Sequence, residues 1–298
     1  YLRSYNFNMK KLSLLLVAIS LTACTRPIHQ ASKMAHFSIP FESNDNQTLT
    51  YQEAIACYEK MAAAYPGIFK LAQVGSTDVG EPLHVAVLNT AGEFDPEKIR
   101  QSGKRILLIN NGIHPGEPEG IDATIMLLRE YLENPALQKE LEHLAIVIIP
   151  VYNVDGCLNR GSFSRANQDG PEAYGFRGNA RNYDLNRDFL KCDSRNARTF
   201  NQIFSTWQPD IFVDNHTSNG ADYQYTMTLI ATQHNKLEAP LGQFLEQTML
   251  PELYADMKSR KWEMIPYVDS PKETPDSGIV GFCDYGRYST GYAALWNT

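Results

Sequence analysis

The sequence predicts an α/β fold, with a single domain whose mostly parallel mixed sheet is flanked by helices. Short, almost continuously apolar segments alternate with longer segments of helical periodicity, as strands and crossover helices do in such sheets. Polar clusters follow several of the apolar segments. Because the ligand sites of open α/β sheets lie at the carboxyl ends of the strands, these clusters are the first candidates for a functional site.

The first half of the chain is predicted to form one helix followed by two strands. Residues 51–63 have apolar side chains at helical spacing, and Pro66 and Gly67 then end the helix. Residues 82–89 alternate enough to form a strand. Residues 105–110 are nearly continuous in Ile and Leu, which is typical of a buried strand in an α/β sheet.

The second half continues the alternation of helices and strands. Residues 119–133 carry Ile and Leu at helical spacing and end at an Asn-Pro pair. Residues 145–151 and 210–214 are apolar and short, as strands are. Residues 237–258 are expected to form a long helix that is interrupted near Pro251, because proline lacks the N–H that a helix interior needs.

The composition is that of an ordinary globular protein. The chain has 298 residues, of which 43% are hydrophobic and 20% are charged, and its net charge is −7. This length can bury a substantial core, and the composition excludes a disordered chain, a collagen and a small disulfide scaffold. The acidic balance lacks the positive excess of nucleic-acid-binding proteins, so no nucleic-acid partner is expected.

The first residues carry the parts of a secretory signal peptide. Met9 is followed by two lysines, a short apolar run and the tetrapeptide Leu-Thr-Ala-Cys, which ends at Cys24. The run is shorter than the roughly 20 apolar residues of a membrane-spanning helix. We expect residues 1–23 to be a signal peptide whose true start is Met9, and residues 24–44 to be a tether before a domain over residues 45–298.

The tetrapeptide resembles the bacterial lipobox, in which the peptide is cut just before a cysteine that becomes lipidated. The resemblance implies that Cys24 is lipidated. It also implies an exported lipoprotein of the cell envelope, facing the periplasm or the cell surface, whose lipid anchor is its membrane contact. An ordinary signal peptide with a chance cysteine is the alternative. Export permits disulfides among the other cysteines, for which pairing and free thiols both remain open.

Two polar clusters that follow predicted strands contain a candidate set of metal ligands. The motif His-Pro-Gly-Glu runs from His114 to Glu117, and its Pro-Gly pair favours a turn that brings the imidazole and the carboxylate together. His216 follows the strand over residues 210–214. Catalytic zinc takes three protein ligands from His nitrogen and carboxylate oxygen and keeps a water at the open position. Each residue alone is also explained as an ordinary hydrogen-bonded side chain.

A third polar cluster has the composition of a carboxylate-binding site. Residues 181–189 contain Asn186 followed directly by Arg187. The guanidinium group of arginine is a planar fork that binds a carboxylate through two parallel hydrogen bonds. Without the other clusters, the same run is explained as a solvated charged loop.

The ordered set of motifs resembles the zinc carboxypeptidase family. These motifs are HPGE, NVDG, NYDLNRDF and DNHTSNG, and residues 51–89 also resemble the opening of that family. The resemblance covers residues 45–298. It implies a metallocarboxypeptidase with one zinc ion, which hydrolyses the bond next to the free C-terminal carboxylate of a peptide. The oligomeric state is not predicted.

The resemblance also assigns roles to single residues of this chain. His114, Glu117 and His216 match the zinc ligands of the family. Asn186 and Arg187 match the pair that holds the terminal carboxylate of the substrate.

Two further roles fall on residues outside the motifs. The family has an arginine, between its NxDG and NR motifs, that polarises the scissile carbonyl. Arg165 fits this role, with Arg160 as the alternative. A family tyrosine near the substrate pocket matches Tyr288, and the uncharged stretch over residues 291–296 favours a small or apolar terminal residue.

The general base of the family is a glutamate downstream of the third ligand and the tyrosine. The glutamates after His216 all precede Tyr288, and they stand at positions 238, 246, 252, 263 and 273. We therefore expect that the sequence is truncated at its C-terminal end. Such a chain is expected to bind zinc and a carboxylate but to hydrolyse peptides poorly.

Three other functions remain open from the sequence. The HPGE motif also occurs in zinc deacylases of N-acyl amino acids that share this fold. A lipoprotein that binds peptides without catalysis, on a degenerate peptidase scaffold, explains the missing glutamate. A peptidase that trims cell-wall stem peptides has the same chemistry and suits an exported chain.

Overall fold

A computed structural model describes residues 37–166, 168–218, 224–272, 275–284 and 287–298. The predicted signal peptide, its start at Met9 and the lipidation site Cys24 lie outside the described residues. Among the helices of the described part, none is long and apolar enough to cross a membrane.

The central element is a mixed sheet of five strands in the order β1-β2-β4-β3-β5. The strands are β1 (Phe69–Ser76), β2 (Pro82–Leu88), β3 (Arg105–Asn110), β4 (Leu144–Ile149) and β5 (Ile211–Asp214). β2 pairs antiparallel with both β1 and β4. β3 pairs parallel with both β4 and β5, and this part of the sheet brings the carboxyl ends of three strands to one edge. The predicted α/β fold with a mixed sheet is confirmed.

Helices and two small sheets complete the described fold. The α-helices are Tyr51–Ala64, Pro96–Gln101, Glu119–Glu133, Pro135–Gln138, Val154–Leu158, Arg195–Trp207, Ala239–Phe244, Leu250–Ser259 and Ser289–Ala294. The small sheets pair Met227–Leu229 (β6) with Met264–Pro266 (β7), and Val268–Asp269 (β8) with Val280–Gly281 (β9).

The core lies around β3 and β4, because their side chains are apolar on both faces and are covered on both. All six residues of β4 are buried, as are all of β3 except Arg105. The helix Tyr51–Ala64 contributes Tyr58 and Met61, both with no exposed surface. A continuous apolar run is thus explained by a strand that has no solvent face.

The long helix predicted over residues 237–258 is broken in the structure, as the proline indicated. Ala239–Phe244 and Leu250–Ser259 are α-helical, and Leu245–Met249 between them has the wider turn of a π-helix. Pro251 has no N–H to donate to the preceding turn, and the π-helical turn lies just before this proline.

The described residues before residue 45 pack against the domain. Phe37 and Ile39 are buried, and Arg129 binds Glu42 through two parallel hydrogen bonds of 2.8 and 2.7 Å. The bidentate geometry fixes this segment to the helix Glu119–Glu133. The packed part of the chain therefore reaches back to Phe37.

The described cysteines are free thiols. Cys57 and Cys157 are buried, Cys192 is partly buried and Cys283 is exposed. The sequence left disulfide pairing and free thiols open, and these four cysteines are free thiols in the structure.

Candidate metal centre

The three predicted metal ligands converge at the edge of the sheet where β3 and β5 end. His114 and Glu117 lie in the loop after β3, and His216 lies two residues after β5. One ligand atom from each side chain lies within 4.8 Å of the other two. Because β3 and β5 are parallel neighbours, residues far apart in sequence meet at this edge.

A tight turn brings His114 and Glu117 together. The Glu117 N–H donates to the His114 carbonyl oxygen at 2.8 Å, which closes the turn across the Pro-Gly pair. Gly116 is needed there, since an added Cβ would lie 2.6 Å from the Cδ atom of Arg165. Both ligand side chains are almost fully buried, with 2% and 3% exposed.

The Glu117 carboxylate lies between the two imidazoles. Its Oε1 atom is 3.2 Å from Nδ1 of His114, and its Oε2 atom is 2.9 Å from Nδ1 of His216. The Thr217 N–H also donates to Oε2, at 3.1 Å. Both histidines therefore direct the same ring nitrogen toward one carboxylate.

The other nitrogen of each histidine contacts a second carboxylate. Nε2 of His114 is 2.9 Å from Asp184, and Nε2 of His216 is 3.0 Å from Asp214. Metal-binding histidines usually carry such a partner, which fixes the ring and leaves the other nitrogen free for the metal. These orienting aspartates were not predicted, although Asp214 and His216 stand two residues apart, on one side of an extended backbone.

The charges of the site shift the pKa values of its residues strongly. Burial raises the pKa of Glu117, but hydrogen bonds with His114 and His216 outweigh burial and hold that pKa well below the usual range. Burial lowers the pKa of His216, but the carboxylates of Asp214 and Glu117 outweigh it and raise the pKa to about 10. Because metal ligands must be deprotonated, metal binding here would release protons.

This donor set fits zinc. Two imidazoles and one carboxylate are a common ligand set of catalytic zinc sites. The side chain of His216 is 29% exposed, so the centre is open to solvent on one side. His114, Glu117 and His216 are therefore the residues that would hold the ion.

The predicted carboxylate-binding pair lies beside the metal centre. Nδ2 of Asn186 is 3.4 Å from Nε2 of His216, and Arg187 donates to the carbonyl oxygen of Asn186 at 2.8 Å. Tyr288 also reaches this place, with its phenol oxygen 3.4 Å from Nη2 of Arg187. The structure thus brings together residues from two distant segments that the sequence connected only through a resemblance.

Two arginines approach Glu117, and one of them was not predicted. Nη1 of Arg165 donates to Oε1 of Glu117 at 2.8 Å, and Nη1 of Arg177 lies 3.6 Å from the same oxygen. Arg177 also binds Asp184 through Nε and Nη2, at 3.2 and 3.0 Å. Arg160, the alternative from the sequence, instead donates to the backbone carbonyls of Thr48 and Leu49.

An open α/β sheet with two histidines and a glutamate at its carboxyl edge is an arrangement that fits a zinc metallohydrolase. The chain matches the family model of zinc carboxypeptidases over residues 54–273. This match covers more than half of the chain, which therefore belongs to the zinc carboxypeptidase family.

Two proteins that are similar to this chain in sequence are named carboxypeptidases. Carboxypeptidase 2 of Trichophyton rubrum is 25% identical over 177 residues, which are 56% of this chain and 30% of the relative. Carboxypeptidase A6 of Mus musculus is 33% identical over 95 residues, which are 30% of this chain and 20% of the relative. The chain thus spans less than a third of the length of these relatives.

Solved structures of the family share the fold. Thrombin activatable fibrinolysis inhibitor superposes with a TM-score of 0.52 at 14% identity, over 95% of this chain and 69% of that structure. A metallo-carboxypeptidase from Pseudomonas aeruginosa, in complex with (2-guanidinoethylmercapto)succinic acid, gives 0.50 at 17% identity, over 81% and 65%. At these identities the likeness shows the fold alone.

Proposed function

We propose that the chain is a zinc-dependent exopeptidase that hydrolyses the C-terminal peptide bond of peptides. The observation that supports it most is the adjacency of the metal centre and a carboxylate-binding pair. Asn186 contacts the ring of His216, and the next residue, Arg187, has 38% of its side chain exposed. A carboxylate bound to Arg187 would place the last peptide bond of a substrate, and not an internal one, beside the metal centre.

The residues of the site have two separate roles in such a hydrolysis, metal binding and substrate binding. A zinc ion held by His114, Glu117 and His216 would supply a water of lowered pKa and would polarise the carbonyl. Asn186 and Arg187 bind the terminal carboxylate and so orient the peptide. We assign no general base to any described residue.

A guanidinium beside the metal centre stabilises the oxyanion that forms on the carbonyl. Arg165 was the predicted donor, but its side chain is 7% exposed and is bound to Glu117. The side chain of Arg177 is 40% exposed, and its Nη1 atom lies 3.6 Å from the same Glu117 oxygen. We therefore assign the oxyanion contact to Arg177, and we assign to Arg165 the task of holding Glu117.

The proposal is tested by comparing three kinds of substrate with the zinc-loaded full chain. An N-blocked dipeptide should lose its C-terminal residue, whereas the same dipeptide with a C-terminal amide should be cleaved far more slowly. An N-acyl amino acid tests the deacylase alternative, and mass spectrometry identifies the products. Preferred release of the acyl group, or equal cleavage of the amidated dipeptide, would contradict the exopeptidase.

We also propose that the protein is an exported lipoprotein anchored at Cys24, a proposal supported by the lipobox-like tetrapeptide alone. Expressed in a bacterium with its N-terminal segment, the chain should then enter the membrane fraction, whereas Cys24→Ser should remain soluble. Equal partitioning of the two proteins would contradict the anchor.

A further inference from the structure

The ring nitrogen of His216 that does not face Glu117 contacts the carboxylate of Asp214, and this carboxylate accepts a hydrogen bond from Asn110. Nε2 of His216 lies 3.0 Å from Oδ2 of Asp214, and Nδ2 of Asn110 donates to the other carboxylate oxygen, Oδ1, at 2.8 Å. Asn110 has no exposed surface, and the Asp214 side chain is 6% exposed. The hydrogen bond between Asn110 and Asp214 is thus largely shielded from competing water.

Residues at the end of β3 also bind Asn215, the residue that follows Asp214. Oδ1 of Asn111 accepts a hydrogen bond from Nδ2 of Asn215 at 2.7 Å. The Asn215 N–H donates to the carbonyl oxygen of Asn110 at 3.0 Å. Asn110, the last residue of β3, and the following Asn111 therefore fix Asp214 and Asn215, the two residues that precede His216.

The orientation of the Asn110 side chain is set by Asp214. Among the described residues, Oδ1 of Asn110 has no hydrogen-bond partner, although it is buried. Leaving a buried acceptor unpaired costs about 1–3 kcal/mol. In this orientation, Nδ2 of Asn110 donates to the Asp214 carboxylate even though Oδ1 of Asn110 stays unpaired. This indicates that the bond to Asp214 determines the orientation of the Asn110 side chain.

This arrangement also selects the tautomer of His216. An ionised carboxylate only accepts hydrogen bonds, so Asp214 requires a proton on Nε2. In the neutral imidazole, the lone pair is then on Nδ1, the nitrogen that faces Glu117. The ring is thereby prepared to bind a metal through Nδ1.

We propose that Asn110 and Asp214 are positioning residues of the metal centre, which act in series on His216. Asn110 holds Asp214, and Asp214 holds the ring and its tautomer. The proposal rests on the proposed function in one respect, the binding of zinc by His114, Glu117 and His216. It concerns residues that bind neither metal nor substrate.

The test measures zinc affinity and the cobalt absorption spectrum of the full chain, neither of which depends on activity. Asp214→Asn should lower zinc affinity by about 10 to 100-fold, as loss of such partners does in other metal sites. Asn110→Ala should lower it by about tenfold, at the lower end of that range. The double variant should be no weaker than Asp214→Asn alone, because residues in series are not additive. The cobalt bands should shift in all three.

Asn196→Ala is the matched control. Asn196 is equally buried, its Oδ1 accepts from the Asp78 N–H at 3.1 Å, and none of the hydrogen bonds described for it reaches a metal ligand or Asp214. Its loss should lower stability but leave zinc affinity and the cobalt spectrum unchanged. If Asn110→Ala behaves like this control, or if the double variant shows the product of the two single effects, the serial arrangement is wrong. If the unaltered chain binds no zinc, both this proposal and the proposed function are wrong.

Discussion

The guanidinium carbon of Arg187 lies 4.1 Å from the centroid of the Tyr288 ring, and its Nη2 group donates to the phenol oxygen at 3.4 Å. A cation over an aromatic face is attracted by the ring, and the phenol adds a polar contact. Asp184 lies 4.0 Å from the same guanidinium. The group proposed to bind the substrate carboxylate is thus held in place before any carboxylate arrives.

From this contact we expect Arg187→Ala to remove most of the preference for a free C-terminal carboxylate. Hydrogen bonds to charged groups contribute about 1.5–3 kcal/mol, so kcat/KM for an N-blocked dipeptide should fall by about 10 to 100-fold. Tyr288→Phe keeps the ring over Arg187 and should have a smaller effect. Residual cleavage of the amidated dipeptide should not change, and an equal loss on both substrates would contradict a carboxylate-binding role.

The two arginines beside Glu117 should differ in what they affect. Arg177→Met should lower kcat more than it lowers zinc affinity, because its half-exposed guanidinium serves the reacting carbonyl and reaches the metal ligands only through Asp184 and a 3.6 Å contact with Glu117. Arg165→Met should instead lower zinc affinity and stability, because it leaves the buried Glu117 without a 2.8 Å partner. Steady-state kinetics and zinc competition measure the two effects. The reverse pattern would restore Arg165 as the oxyanion donor.

The metal ligands could be predicted from the sequence because each follows a strongly apolar strand. Residues 105–110 and 119–133 match the observed bounds of β3 and of the helix Glu119–Glu133, since a continuous apolar run and an Asn-Pro stop leave little choice. The motif order then singled out the two histidines and the glutamate. That these three residues bind a metal ion in this protein stays a prediction, which a measurement of bound metal tests.

Other parts could not be predicted, for reasons that lie in tertiary contacts. β1 was missed because it pairs with β2 on one side only and seven of its eight residues are half-buried or exposed in no regular alternation. The helix Arg195–Trp207 was missed because its first turn is polar, although Ser194 caps it by accepting from the Ala197 N–H at 3.0 Å. Arg177 is placed at the site by Asp184, a partner that only the folded chain reveals.

Asp122 should make stability depend on pH. Burial raises the pKa of this carboxyl to about 6, although Thr48 donates to it at 2.6 Å. Between pH of about 4 and 6, the unfolded chain has lost the proton and the folded chain retains it, so stability falls as pH rises. Asp122→Asn has no such proton, and its stability relative to the unaltered chain should rise across this window by on the order of 2–3 kcal/mol.

Urea unfolding at pH 4, 5, 6 and 7 measures this change. Asp45→Asn is the control, since Asp45 is an exposed carboxylate three residues before Thr48, the hydrogen-bond partner of Asp122. The offset of this control from the unaltered chain at each pH is the baseline for the comparison. An offset of Asp122→Asn that does not change with pH relative to this baseline would show that the Asp122 carboxyl titrates alike in the folded and unfolded chains.

The aromatic residues around Phe200 should carry a large share of the packing energy. Phe200 has no exposed surface, and its ring lies 5.0 Å from that of Phe189 and 5.1 Å from that of Tyr152. Truncating such a side chain removes buried apolar surface and leaves a cavity, so Phe200→Ala should lower the free energy of unfolding by about 3–5 kcal/mol. Phe163→Ala removes the same atoms from a side chain that is 93% exposed, and should change stability by less than about 0.5 kcal/mol. Denaturant unfolding compares the two, and a loss below about 1 kcal/mol for Phe200→Ala would mean that the neighbouring rings close the space.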